Sequence, residues 1–125
     1  MGAERLSFEK QSFTKADRLR KRPEFVHLSK TGRRVQNSYF IVLFNTGHHR
    51  RSRLGVTVTK RVGNAVTRNR IKRLLREYFR SNKDALGAHL DINIIAKKEA
   101  TGLTSAETFT MLESLFNKIE RYCVC

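Results

Sequence analysis

Residues 60–80 read KRVGNAVTRNRIKRLLREYFR, a glycine-containing turn followed by a segment with one apolar and one cationic face. Placed on a helix at about 100° per residue, Ile71, Leu74, Leu75, Tyr78 and Phe79 gather into one stripe with the i, i+3, i+4, i+7 spacing of a buried face. Asn69, Arg73, Arg76 and Arg80 centre on the opposite side, with Arg68 and Lys72 between them and the stripe. Glu77 is the only acid in the stretch, so ion pairs along the helix cannot balance the charge. Solvation alone would be served equally well by mixed Lys and Glu. An excess of Arg, whose planar fork suits phosphate oxygens and stacks on bases, points instead to a nucleic-acid partner. Gly63 and Asn64 turn the chain into this helix, predicted over 65–81.

The charge distribution agrees. The chain carries 26 Lys and Arg against 11 Asp and Glu, a formal charge of +15. Residues 50–80 hold eleven of the basic residues with one acid, and residues 1–34 hold ten with four, whereas 35–49 hold neither sign. Two basic blocks flanking an apolar strand predict one continuous basic surface and a polyanionic partner.

At 125 residues with eight Phe, the chain can bury a core without disulfides or metals. Cys123 and Cys125 are the only cysteines and stand too close to the C-terminus to staple a framework. They read as surface thiols of a reducing compartment. No apolar stretch approaches the roughly 20 residues of a membrane span, and MGAERLSFEKQSF lacks the hydrophobic run of a signal peptide. A cytoplasmic location is therefore expected.

Residues 1–12 have no periodicity and are expected to form a flexible extension, with one domain over 13–122 and a tail at 123–125. Thr14 can cap a short turn. Pro23 suits the first residue of a helix carrying Phe25, Val26 and Leu28, which Gly32 ends. Tyr39 to Phe44 is an unbroken apolar run and reads as a strand covered on both faces. Thr46 to Ser52 is a polar loop. Leu54 to Thr59 follows as a strand with Leu54, Val56 and Val58 on one face and Gly55, Thr57 and Thr59 on the other, so Thr57 should tolerate change far better than Val56. Asp84 to His89 reads as a loop and Leu90 to Ala96 as a third strand. Thr104 and Glu107 form a capping box ahead of an amphipathic helix through Phe109, Leu112, Phe116 and Ile119. The order predicts an α+β sandwich with helices covering one sheet.

No catalytic constellation stands out. His48 and His49 sit in a polar loop, His27 and His89 are isolated, and no two acids can be brought together by spacing. Covalent chemistry by this chain alone is not expected.

Four segments in order carry a family resemblance: Arg18-Leu-Arg-Lys-Arg-Pro-Glu-Phe25, Arg53-Leu-Gly-Val-Thr-Val-Thr-Lys60-Arg61, Arg68-Asn69-Arg70-Ile71-Lys72-Arg73 and Asp91-Ile-Asn-Ile-Ile-Ala-Lys97-Lys98. Together they resemble the protein subunit of bacterial ribonuclease P, whose RNR element the third segment matches. The likeness covers residues 13–122 and omits the extension and the tail. It implies a four-stranded sheet with three helices and a left-handed βαβ crossover, against the usual hand.

The resemblance also implies a division of labour. The RNA subunit would hold the active site and the Mg²⁺ ions, while the protein helps position precursor tRNA for removal of its 5′ leader. Arg68, Asn69, Arg70, Lys72, Arg73 and Arg76 would dock on the catalytic RNA by neutralising phosphates. Phe25, Lys60, Arg61, Lys97 and Lys98 would line the cleft for the single-stranded leader, an aromatic platform beside cations. For Phe40, cleft and core are both open. Ser29 stands where many members place a second aromatic of that helix and Leu43 where some place Tyr, which leaves Phe25 more of the base contact. A ribosomal or other structural RNA-binding protein would share the charge, size and sandwich.

Overall fold

The computed structural model describes residues 17–46, 51–86 and 89–124. The 1–12 extension, Thr14, His48, His49 and Cys125 lie outside them. Four strands, β1 (Arg33–Gln36), β2 (Phe40–Thr46), β3 (Arg53–Thr57) and β4 (Leu90–Ala96), form one sheet in the order β1-β2-β4-β3. Three helices complete the fold: α1 (Arg22–Thr31), α2 (Ala65–Asn82) and α3 (Ser105–Val124).

The basic helix begins where its sequence dictates. The Asn64 side chain accepts from the Thr67 amide at 2.9 Å, satisfying one of the free N–H groups of the first turn. At α3 the expected capping box is complete: Glu107 accepts from the Thr104 amide at 2.9 Å, and Thr104 Oγ1 accepts from the Glu107 amide at 3.1 Å. The apolar run after Tyr39 packs on both faces, with Ile41 alone of Phe40–Leu43 half-buried. Phe40, Val42 and Phe44 enter the main core with Leu54, Ile92, Ile94, Ile71, Leu75, Phe79, Leu112, Leu115 and Ile119. Leu43 joins Leu19 and Leu28 in a second cluster, with Phe25, Ile41 and Ile95 at its margin.

The helices of the α+β sandwich thus divide between the two faces. α2 and α3 cover the main core, and α1 lies alone on the other face among the described residues. β1 and β2 pair antiparallel, as do β2 and β4, whereas β3 and β4 are parallel neighbours joined through α2. The outer edge of β3 is occupied by residues 17–20: Arg18 bridges Leu54, and the Leu19 amide donates to the Leu54 carbonyl at 2.9 Å. Asp17, 1 % exposed, anchors that segment to Arg51 at 3.1 Å and Lys83 at 3.5 Å.

Three details differ from the sequence reading. β1 is an added strand whose Arg-Arg-Val-Gln sequence has one buried residue, Val35, and so carries no alternation strong enough to read. Residues Lys83–Leu86 form a 3₁₀ turn where a loop was expected. The third difference concerns Thr57. Its hydroxyl donates to Oδ1 of the buried Asn93 at 3.1 Å, so it is a hydrogen-bonding partner and not a tolerant surface position. Thr57→Val, which keeps the shape but removes that donor, should cost about 1 to 2 kcal/mol. Half-buried Val56 should lose a similar amount, about 1 kcal/mol, as Ala. Urea-denaturation midpoints of the two variants check the parity; a silent Thr57→Val would return the hydroxyl to solvent.

Candidate RNA-binding surfaces

Two surfaces follow from this framework. On α2, Asn69 and Arg73 are exposed, and Arg68, Lys72 and Arg76 form a half-buried row one turn apart along its flank. Among the described residues none of Arg68, Lys72, Arg73 or Arg76 pairs with an acid. Burial, and then the charge of Arg18, hold the Arg76 guanidinium below its ordinary pKa. Nε of Arg68 is buried with no hydrogen-bond partner. This row carries charge that is partly desolvated and mutually repelling, an arrangement that an incoming phosphate relieves. Arg70 departs from the row: its Nη2 donates to the Leu103 carbonyl at 3.3 Å, on the side of α3. Arg80 pairs with Glu77, the one acid of the segment.

The second surface is the sheet face beneath α1. Strand register sets its rows. Arg53, Asp91 and Asn45 share one row; Gly55, Asn93, Leu43 and Arg34 the next; Thr57, Ile95, Ile41 and Gln36 the third. α1 crosses the first two. At its start Glu24 meets Arg53 at 2.6 Å, and at its end the Thr31 hydroxyl accepts from Asn45 Nδ2 at 3.3 Å. Leu43, Asn93 and Gly55 are buried, whereas Ile41, Ile95 and Thr57 are half-buried and Gln36 is exposed. The third row is therefore the floor of an open groove.

Phe25 walls that groove. It is half-buried, and its ring lies so close to Gly55 that a Cβ there would fall 2.4 Å from Cε1 and 2.6 Å from Cζ. Only glycine admits this approach. The cations stand at the opposite end, because β3 and β4 are parallel and finish side by side: Lys60 and Arg61 follow one, Lys97 and Lys98 the other. Thr101 ties the two segments by donating to the Val62 carbonyl at 2.7 Å. Lys60, Arg61 and Lys98 are exposed. Lys97 is partly committed, its ammonium donating to the Asn37 carbonyl at 2.8 Å. Phe40, fully buried, belongs to the core, Leu43 lies under α1, and Ser29 is exposed.

Sequence reading missed the group beneath the start of α1. Arg53 donates from Nε and Nη2 to the two Asp91 oxygens, each at 2.9 Å, while also meeting Glu24. The Asp91 hydrogen bond is the largest influence raising the Arg53 pKa above its ordinary value. Burial pushes the Glu24 carboxyl up, but the Lys21 amide and Arg53 outweigh it and leave the carboxyl below its usual range. These residues come from three separate elements, so spacing gave no signal of their contact. No helix of the described residues is long and apolar enough to cross a membrane.

A family model described as Ribonuclease P matches residues 13–120. The ribonuclease P protein component of Desulfatibacillum aliphaticivorans is 56 % identical over 86 % of this chain and 92 % of its own. That of Thermotoga maritima is 38 % identical over 89 % of this chain and 96 % of its own. Among solved structures, the Staphylococcus aureus RNase P protein superposes with a TM-score of 0.77 at 35 % identity, covering 82 % of this chain and 94 % of the other. The Thermotoga maritima protein gives 0.74, also at 35 % identity, over 81 % and 96 %.

Proposed function

Because the chain belongs to the ribonuclease P protein family, and is thus the protein subunit of a tRNA-processing ribonuclease with an RNA partner, we propose that it binds the catalytic RNA through α2 and the 5′ leader of precursor tRNA through the groove beside α1. The observation that carries the first half is the row Arg68, Lys72 and Arg76 with Arg73 above it. These cations have no acid partner among the described residues, and one buried donor lacks a partner altogether. Asn69 and Arg70 would flank the docked RNA, Arg70 with part of its guanidinium already engaged.

The groove suits a single strand. Its floor is half-buried Ile41, Ile95 and Thr57, its wall an aromatic ring, and its far end the cations Lys60, Arg61 and Lys98 with Lys97. Stacking on Phe25 with phosphates toward those cations needs no particular base sequence. In this reading the active site lies in the RNA subunit, and the protein adds affinity and orientation.

Mg²⁺ belongs with that RNA. Among the described residues no three His, Cys, Asp or Glu side chains gather to hold a metal ion, and both surfaces carry cations that would repel one. In this reading the ion is held mainly by the RNA subunit, since the described residues offer it no such cluster.

The direct test is reconstitution. Added to the catalytic RNA at low Mg²⁺, the protein should restore cleavage of precursor tRNA at the 5′ end of the mature sequence; RNA binding without restored cleavage would favour a purely structural RNA-binding role. Within that assay Arg73→Ala, at an exposed position of α2, should weaken binding to the catalytic RNA and leave the melting temperature unchanged. The slope of log affinity against log salt should flatten by roughly 0.7 to 1 for one lost phosphate contact. An unchanged slope would remove Arg73 from the interface.

A further inference from the structure

We propose that Arg53 is a positioning residue for the leader: by clamping Glu24 of α1 to Asp91 of β4 it holds that helix over the sheet with Phe25 seated on Gly55, and so sets the groove. The inference rests on the reading of Phe25 as the leader's stacking platform.

Three observations support it. α1 is a ten-residue helix with no other helix on its face among the described residues, supported by only the small cluster of Leu19, Leu28 and Leu43. Apolar contact of that size is non-directional and does not by itself fix how far a helix sits along the sheet. The directional contact at the start of the helix is the Arg53 fork, 13 % exposed, with both Asp91 oxygens at 2.9 Å and Glu24 Oε2 at 2.6 Å, and at the far end Thr31 only accepts one longer bond from Asn45 at 3.3 Å. A planar guanidinium held bidentately has little freedom, and Glu24 inherits that order.

The second attachment is two residues along the same face of β3. Gly55 receives the Phe25 ring so closely that a Cβ would collide with it. Consecutive helix residues 24 and 25 are thus keyed to alternate strand residues 53 and 55, and the helix cannot slide without breaking both. Arg53 itself is saturated by two carboxylates, so it is poorly suited to take a leader phosphate. Its influence on the leader runs through Phe25.

The test is a double-mutant cycle in the reconstituted holoenzyme. Dissociation constants for precursor tRNA and for leaderless tRNA are measured with the parent, Arg53→Met, Phe25→Ala and the double variant. Arg53→Met should reduce the preference for leader-bearing tRNA by roughly 3- to 10-fold, leave leaderless affinity unchanged, and add nothing in the Phe25→Ala background. Losses that multiply in the double variant would mean that Arg53 touches the leader directly, which overturns the inference. So would an equal loss for both substrates, the mark of a merely structural residue. If Phe25→Ala lowers the preference and Arg53→Met does not, the inference fails and the leader site stands; if Phe25→Ala has no effect, both fail. Should Arg53→Met not fold, Glu24→Gln keeps the Arg53–Asp91 pair and every apolar contact. It should give the same pattern at smaller size, and an unaltered preference there overturns the proposal.

Discussion

Phe25→Ala should lower the holoenzyme's preference for leader-bearing over leaderless tRNA by roughly 5- to 150-fold, the equivalent of the about 1 to 3 kcal/mol that one stacked base contributes. The ring is half-buried against Gly55, which leaves part of its surface exposed, the part on which a base would stack in the proposed site. Its apolar neighbours are few, because Ile41 and Ile95 are themselves half-buried. The loss of stability should therefore fall short of the about 3 to 5 kcal/mol that a fully buried Phe costs as Ala. Among the described residues neither of two neighbouring positions offers a replacement aromatic, since position 29 is Ser and Leu43 lies under α1. The measurement is the ratio of the two dissociation constants in variant and parent. A ratio that stays put in a folded protein would exclude Phe25 from the leader site; a large fall in stability with both substrates weakened alike would make it a core residue.

What could be read from the sequence, and what could not, follows from the range over which each signal acts. The basic helix was legible because its evidence is local: a turn at Gly63 and Asn64, an apolar stripe at helical spacing and an excess of Arg all lie within some twenty residues. The Thr104–Glu107 box and the apolar run after Tyr39 were legible for the same reason. β1 was not. Arg34 and Gln36 point away from the main core, Arg33 lies over the Tyr122 ring of α3, and only pairing with Phe44 through Ile41 makes the segment a strand; the family resemblance had to supply it. The division of the helices between two faces is equally non-local, since it depends on where β3 and β4 pair.

The candidate sites show the same split. Which cations lie on α2 was visible from spacing, but not that Arg70 turns toward Leu103 or that Arg76 is crowded by Arg18 from the segment along β3. Glycine at position 55 read only as a residue of the strand face shared with Thr57 and Thr59. The structure seats the Phe25 ring on it. Arg53 stands in one of the sequence motifs with no partner visible nearby, because both of its acids come from distant elements.

Phe79→Ala should cost about 3 to 5 kcal/mol of stability, the largest effect expected of any substitution considered. Phe79 is 0 % exposed on the apolar stripe of α2, in the core that also holds Ile92, Ile94, Leu112 and Leu115. A domain of this size has about 5 to 15 kcal/mol in all, so a substantial fraction of the variant could be unfolded at assay temperature. RNA binding should counter this. A ligand that binds only the folded state stabilises it by mass action, by about 2.7 kcal/mol at a hundredfold excess over its dissociation constant. Phe79→Ala should therefore melt well below the parent when free, regain much of the difference with the catalytic RNA, and keep the parent's salt slope once bound. Arg73→Ala should do the reverse, melting as the parent does and losing slope. The two residues share one helix and differ in which face they occupy, so the crossed pattern tests whether that helix separates folding from recognition by side. Phe79→Ala that melts like the parent would show that the apolar stripe is not what holds α2 to the sheet, and the docking face would then have to be redrawn.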